Sequence, residues 1–387
     1  MFPFFWNSYS KSVKNFGDSI ASSSLNYRVT FRAFQRLKAF STRQSNLERT
    51  LWNMPRKNGK SYNIEFARLK MPYLSPEIEK WLLGHNKLIA KLAQKGFRPT
   101  PENSREGLAV MTKMLVTESP HVKLVMDEII VGDNFNIPVR IYHPKPESPL
   151  PVLIYLHGGG HMAGSITVYD PICRKMAVST SHTVISVDYR LAPENPYPAG
   201  TEDAMTVLKN IWLTLGNRNI RHIRRLSIAG DSGGGAMCAT VAHMTQNDPD
   251  IKISRQILIY PGLDYTLQHE SINENGKGFL LEKNKIEWYF DNYFQNSENR
   301  KNCSPINMLF TDRFPETLMM TAQFCPLRDE AFAYVDKMKS AGVKHKHLHF
   351  DDMIHAFLNM ESLAKKQCAV LYDTASAFLN NGTNNEI

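Results

Sequence analysis

Between an apolar run, Leu226–Ala229, and a helix-like segment, Ala236–Met244, stands Gly230-Asp231-Ser232-Gly233-Gly234. The rest of the architecture has to be built around that pentapeptide. Glycines flank a serine in this way where a strand turns sharply into a helix, because neighbouring backbone passes too close to admit side chains. The turn lifts the serine hydroxyl above the end of a sheet. The helix that follows points its N-terminal dipole and unpaired N–H groups at any negative charge that develops there. A glycine-rich phosphate turn uses similar residues, so other signals must decide between the two.

The remaining pattern supplies the sheet. Val122–Val131 and Ile137–Tyr142 alternate as a hairpin of edge strands. Short apolar runs then recur between helical segments at Val152–Leu156, Thr183–Val187, Leu226–Ala229, Gln256–Tyr260, Leu318–Thr321 and Lys346–Phe350. That alternation predicts an α/β fold with a mostly parallel sheet and helices on both faces. Upstream, Ser75-Pro76-Glu77 reads as a helix start with a capping hydroxyl, followed by an apolar face of Ile78, Trp81, Leu82, Leu88, Ile89 and Leu92 and a stop at Gly96. Thr100-Pro101-Glu102 opens a second helix through about Met114. The expected organisation is a basic N-terminal extension over 1–72, a helical cap over 73–120 and a catalytic domain over 121–387.

Two further motifs bear on chemistry. His157-Gly158-Gly159-Gly160 follows Val152–Leu156 directly. Three glycines let backbone N–H groups face a ligand unobstructed, and Gly158 and Gly159, with the N–H of Gly233, are the expected holders of an oxyanion. His157 reads as a structural hydrogen-bonder of that loop. His355, in Met353-Ile354-His355-Ala356-Phe357, follows the last expected strand. The base comes last in chain order when a serine nucleophile sits on a strand-to-helix turn, so His355 is the candidate base for Ser232.

Taken in order, these motifs resemble the hormone-sensitive-lipase family of α/β-hydrolases, its bacterial esterase branch, over roughly residues 75–380. The residues that carry the resemblance are His157–Gly160, Asp188-Tyr-Arg-Leu-Ala-Pro-Glu194, Gly230–Gly234, Tyr260-Pro261 with Leu263-Asp264, Pro326-Leu-Arg-Asp-Glu330 and His355-Ala-Phe357. The resemblance implies an eight-stranded sheet with an N-terminal cap, hydrolysis of short- to medium-chain carboxylic esters, and no cofactor or metal. It also exposes a departure. The family has aspartate before the Pro-Leu-Arg-Asp-Glu run, to orient the histidine; here the residue is Cys325. A free thiol is mostly neutral at pH 7 and cannot stabilise an imidazolium as a carboxylate does. Asp352, three residues before His355, is the first substitute acid and Asp264 the second. Otherwise the chain runs on a Ser232–His355 dyad, or binds a small molecule without turning it over. An amidase or deacetylase would use the same parts. His161 stands where the family has an aromatic and is expected to line the pocket.

Charge separates the extension from the rest. Of a net +9, residues 1–70 hold thirteen Lys or Arg against three acids. An anionic membrane surface is the expected partner of that segment, and no nucleic-acid motif accompanies the charge. Five scattered cysteines without a C-x-x-C argue against a disulfide framework or zinc site and suit a reducing, cytoplasmic compartment. The aromatic start, Phe2 to Tyr9, lacks the charged lead of a secretory signal and is compatible with peripheral seating at a membrane.

Overall fold

The computed structural model describes residues 73–381. The basic extension assigned to 1–72 lies outside the described residues. Contacts divide the chain at Leu69/Lys70, and every described residue belongs to the second unit.

Eight strands form one sheet: β1 (Leu124–Ile130), β2 (Ile137–His143), β3 (Leu150–Leu156), β4 (Thr183–Val187), β5 (His222–Asp231), β6 (Ile253–Ile259), β7 (Glu316–Phe324) and β8 (His345–Ile354). Their order is β1-β2-β4-β3-β5-β6-β7-β8. β1 and β2 run antiparallel to their neighbours and the rest pair in parallel. This is the expected sheet. Its inner strands are mostly buried, with all five residues of β4 buried, because helices cover both faces. The edge strand β1 mixes exposed and buried positions instead.

The helices are α1 (Pro76–Gln94), α2 (Pro101–Leu115), α3 (Asp170–Thr180), α4 (Ala199–Asn217), α5 (Ser232–Thr245), α6 (Lys283–Tyr293), α7 (Arg328–Ser340) and α8 (Lys365–Asn380), with short helical turns between them. α5 is the most enclosed, with all but Ser232 and Met244 buried. Its glycines permit that closeness: a Cβ on Gly235 would stand 3.0 Å from the Gly230 carbonyl oxygen. α2 carries a full capping box between Thr100 and Asn103. At α1 the expectation was wrong in one detail. The Ser75 hydroxyl donates to Glu77 Oε2 at 3.0 Å and caps no backbone N–H. The Ser75 N–H instead donates to the Asp352 carbonyl at 3.0 Å, which ties the start of α1 to β8. Ile78 and Leu82 enter the main core, whereas Ile89, further along the same helix, is exposed. Gly96 ends the helix at φ +84°, a conformation glycine adopts without strain.

Candidate active site

Four loops leave the C-terminal ends of parallel strands on one side of the sheet, where open α/β sheets place their ligands. They follow β3, β5, β7 and β8 and deliver the glycine loop, Ser232, Cys325 and His355. The turn after β5 is tight, as expected, and it is also strained. Ser232 has φ +53°, a region that costs a non-glycine residue about 1–3 kcal/mol and persists only where surroundings impose it. Those surroundings are tight: a Cβ on Gly230 would lie 2.7 Å from the Leu156 carbonyl oxygen and 2.6 Å from that of Gly234.

Ser232 Oγ lies 2.8 Å from His355 Nε2. His355 is buried, and its ring centroid lies 4.8 Å from that of Tyr260. Burial lowers its pKa to about 3, and the Lys285 ammonium acts in the same direction. The ring is therefore neutral. A hydroxyl donating to Nε2 leaves the ring proton on Nδ1. Nδ1 faces the Cys325 sulfur at 3.2 Å, and the Leu327 N–H approaches the same sulfur at 3.3 Å. Burial pushes the Cys325 thiol well above its ordinary range, so the third partner of the histidine is uncharged.

Neither substitute acid reaches the histidine. The Asp352 carboxylate accepts from Gln367 Nε2 at 2.6 Å: the residue still lies on β8, and its side chain turns toward α8. The Asp264 carboxylate closes its own turn, accepting from Thr266 N and Oγ1 at 2.9 and 2.6 Å, with His269 Nε2 at 3.3 Å. Both assignments are corrected in favour of Cys325. Asp329 is also engaged, accepting from Ser271 N at 2.9 Å and Arg328 Nε at 2.7 Å. Arg190 and Glu194 are structural, with separate partners: Asp203 for the first, Arg105 for the second.

The glycine loop requires a second correction. The Gly158 N–H donates to Asp231 Oδ1 at 2.9 Å and is not free for a ligand. A buried carboxylate needs donors, and Asp231 also accepts from Tyr155 Oη at 3.0 Å and Tyr169 Oη at 2.9 Å. Burial still raises its pKa to about 6 against those bonds. The Gly159 and Gly160 N–H groups have no acceptor among the described residues. Gly160 lies against the start of α5: a Cβ on Gly233 would stand 3.2 Å from the Gly160 nitrogen. Gly159 and Gly160 adopt φ +127° and +62°, which fits their being glycine. His157 is buried, with Nδ1 2.9 Å from the Gly158 carbonyl and its ring stacked on Tyr189 at 4.3 Å. His161 is stacked on Tyr293 at 3.9 Å and held neutral by burial, its pKa lowered to about 3.

A serine hydroxyl, a neutral imidazole and unoccupied backbone donors thus meet at one sheet end. Residues 153–359 match the family model described as alpha/beta hydrolase fold. The chain belongs to the α/β-hydrolase family. Within it, the chain is 31% identical to the carboxylic ester hydrolase LipN of Mycobacterium tuberculosis, over 65% of this chain and 69% of that one. It is 30% identical to an ethyl acetate hydrolase of Pseudomonas putida, over 60% and 75%. A solved hyperthermophilic esterase from the archaeon Pyrobaculum calidifontis superposes with TM-score 0.69 at 28% identity, covering 79% of this chain and 98% of that one. The resemblance to the hormone-sensitive-lipase family stands with these relatives.

Sequence reading missed two residues of this α/β-hydrolase site. Asp231 lies inside the elbow motif, and only its contacts reveal that it anchors Gly158. Lys285 lies 53 positions past the serine, and no local pattern marks it. Among the described residues no group of three or more His, Cys, Asp or Glu is placed to hold a metal ion, and no helix is long and apolar enough to cross a membrane.

Proposed function

We propose that the protein is a serine carboxylesterase in which a neutral thiol stands at the acid position of the triad. The observation that carries the proposal is the 2.8 Å contact between Ser232 Oγ and His355 Nε2 beside unfilled glycine amides. Ser232 attacks the ester carbonyl as His355 takes its proton. The N–H groups of Gly159, Gly160 and Gly233 hold the oxyanion, a type of donor worth about 2.7–4 kcal/mol each. The imidazolium returns its proton to the leaving alcohol, and water releases the acyl group by the same steps. Cys325 accepts the Nδ1–H and so fixes the ring's tautomer and angle, but it supplies no charge to the imidazolium. The family resemblance favours short- to medium-chain esters.

The test is hydrolysis of a short-chain chromogenic ester by wild type and Ser232→Ala. Turnover is expected to disappear with the hydroxyl; equal rates would end the proposal. The uncharged third partner favours one other reading, a small-molecule binding protein on a hydrolase frame. A fluorophosphonate probe separates the two, since rapid labelling at Ser232 marks an enzyme. For the basic residues 1–70, the surplus charge supports contact with an anionic membrane surface.

A further inference from the structure

Lys285 stands half-buried in the first turn of α6, a turn that contains no acid. Its ammonium lies 5.6 Å from the centroid of the Tyr289 ring, one helical turn on. Tyr289 in turn packs on the glycine loop: a Cβ on Gly160 would stand 2.5 Å from Tyr289 Cδ2. Gly160 adjoins Gly233, the residue after the nucleophile. Through these contacts the ammonium is placed at the side of the catalytic pocket. Its charge reaches two imidazoles, His355 itself and His85 on α1, and burial keeps both neutral. His85 is further stacked on Trp81 at 4.7 Å.

No carboxylate among the described residues lies within ion-pairing distance of the Lys285 ammonium, which rests over the Tyr289 ring instead. The acids near it on the chain are turned elsewhere: Glu282 Oε1 accepts from the Gly278 N–H at 2.9 Å, and Glu287 is exposed. Among the described residues, the groups its charge reaches on α1, α6 and the loop after β8 are His85, Tyr289 and His355, and none is negative. A cation beside a base that must become an imidazolium opposes the reaction. The neutral thiol at Nδ1 does not offset it. An anion brought by the substrate would.

We infer that Lys285 binds a negatively charged group of the substrate, so that the preferred esters carry a carboxylate, sulfonate or phosphate a few bonds from the scissile carbonyl. This rests on the esterase reading above. Matched esters test it. For an acyl-side anion the pair is the 4-nitrophenyl half-ester of adipic acid against 4-nitrophenyl hexanoate. For an alcohol-side anion it is 4-acetoxybenzoate against its methyl ester. Each rate is divided by the ester's spontaneous hydrolysis rate. The anionic-to-neutral ratio of kcat/KM is expected to fall about tenfold or more in Lys285→Met for one of the pairs, chiefly through KM, and to persist in Lys285→Arg. In the unmodified enzyme, raising salt to about 0.5 M should depress the anionic member several-fold more than the neutral one. Ratios indifferent to both the substitution and salt, with neutral esters still turned over through Ser232, would overturn the role of Lys285 alone. Absence of any Ser232-dependent turnover would overturn the esterase reading and this inference together.

Discussion

Replacing Cys325 by aspartate asks whether the neutral thiol is what limits the enzyme. A carboxylate at that position would sit next to Nδ1, where Sγ now stands at 3.2 Å. At about 4 Å between charge centres and an effective dielectric of about 20, its attraction for the imidazolium is about 4 kcal/mol. That is about three pKa units. It would carry His355 from about 3 back toward the ordinary histidine range. Desolvation of the new carboxylate, offered the Leu327 N–H as a donor, takes back part of this gain. A net rise in kcat of at least about tenfold, or about 1.4 kcal/mol, is the expectation, against a ceiling of about 10⁴ set by neutralising the aspartate of serine proteases. The pH profile gives a second readout. The reaction needs the neutral ring, so a base of lowered pKa stays available as pH falls: the wild type should show no acid limb in kcat/KM between pH 7 and 5, and Cys325→Asp should gain one near pH 6. Aspartate is also bulkier than cysteine in a site 1% exposed, and overpacking costs about 1–3 kcal/mol, so thermal unfolding must be followed alongside. Turnover that stays flat or falls in a folded Cys325→Asp, together with a large loss in Asp352→Asn or Asp264→Asn, would refute the reasoning.

Gly160→Ala puts a methyl group 2.5 Å from Tyr289 Cδ2 at φ +62°, and it should lower kcat by about a hundredfold and the unfolding midpoint by a few degrees, as read by ester kinetics and calorimetry. Asp231→Ala leaves the Gly158 N–H and two tyrosine hydroxyls without their acceptor. At about 1–3 kcal/mol for each such group, it should lower the unfolding midpoint by several degrees and kcat at least about tenfold, with Ser232→Ala as the reference for zero activity. Removal of residues 1–70 should abolish sedimentation with anionic liposomes at low salt and leave ester turnover in place; unchanged binding would discard the membrane contact.

The sheet was legible because its signal is local. Val152–Leu156 and Thr183–Val187 are apolar runs of strand length, and nothing in the fold competes with them for that assignment. The nucleophile and base were legible for a related reason: a turn that tight needs its glycines beside the serine, and chain order supplies the histidine. What escaped was hydrogen bonding between residues far apart in sequence. Gly158 carries the right residue type for an oxyanion donor, yet its N–H is taken by a carboxylate 73 positions later. Asp352 lies three positions before the histidine, but strand geometry turns its side chain to Gln367. Position along the chain made Asp352 the nearest acid, and position in space made Cys325 the partner. The same distinction explains Lys285, whose meaning depends on α6 folding back over the glycine loop. At this site, then, the residues that perform the proposed reaction are marked by backbone demands. Those that tune its charge are marked only by what they face: the Cys325 thiol at Nδ1 is neutral, and the Lys285 charge acts against the imidazolium.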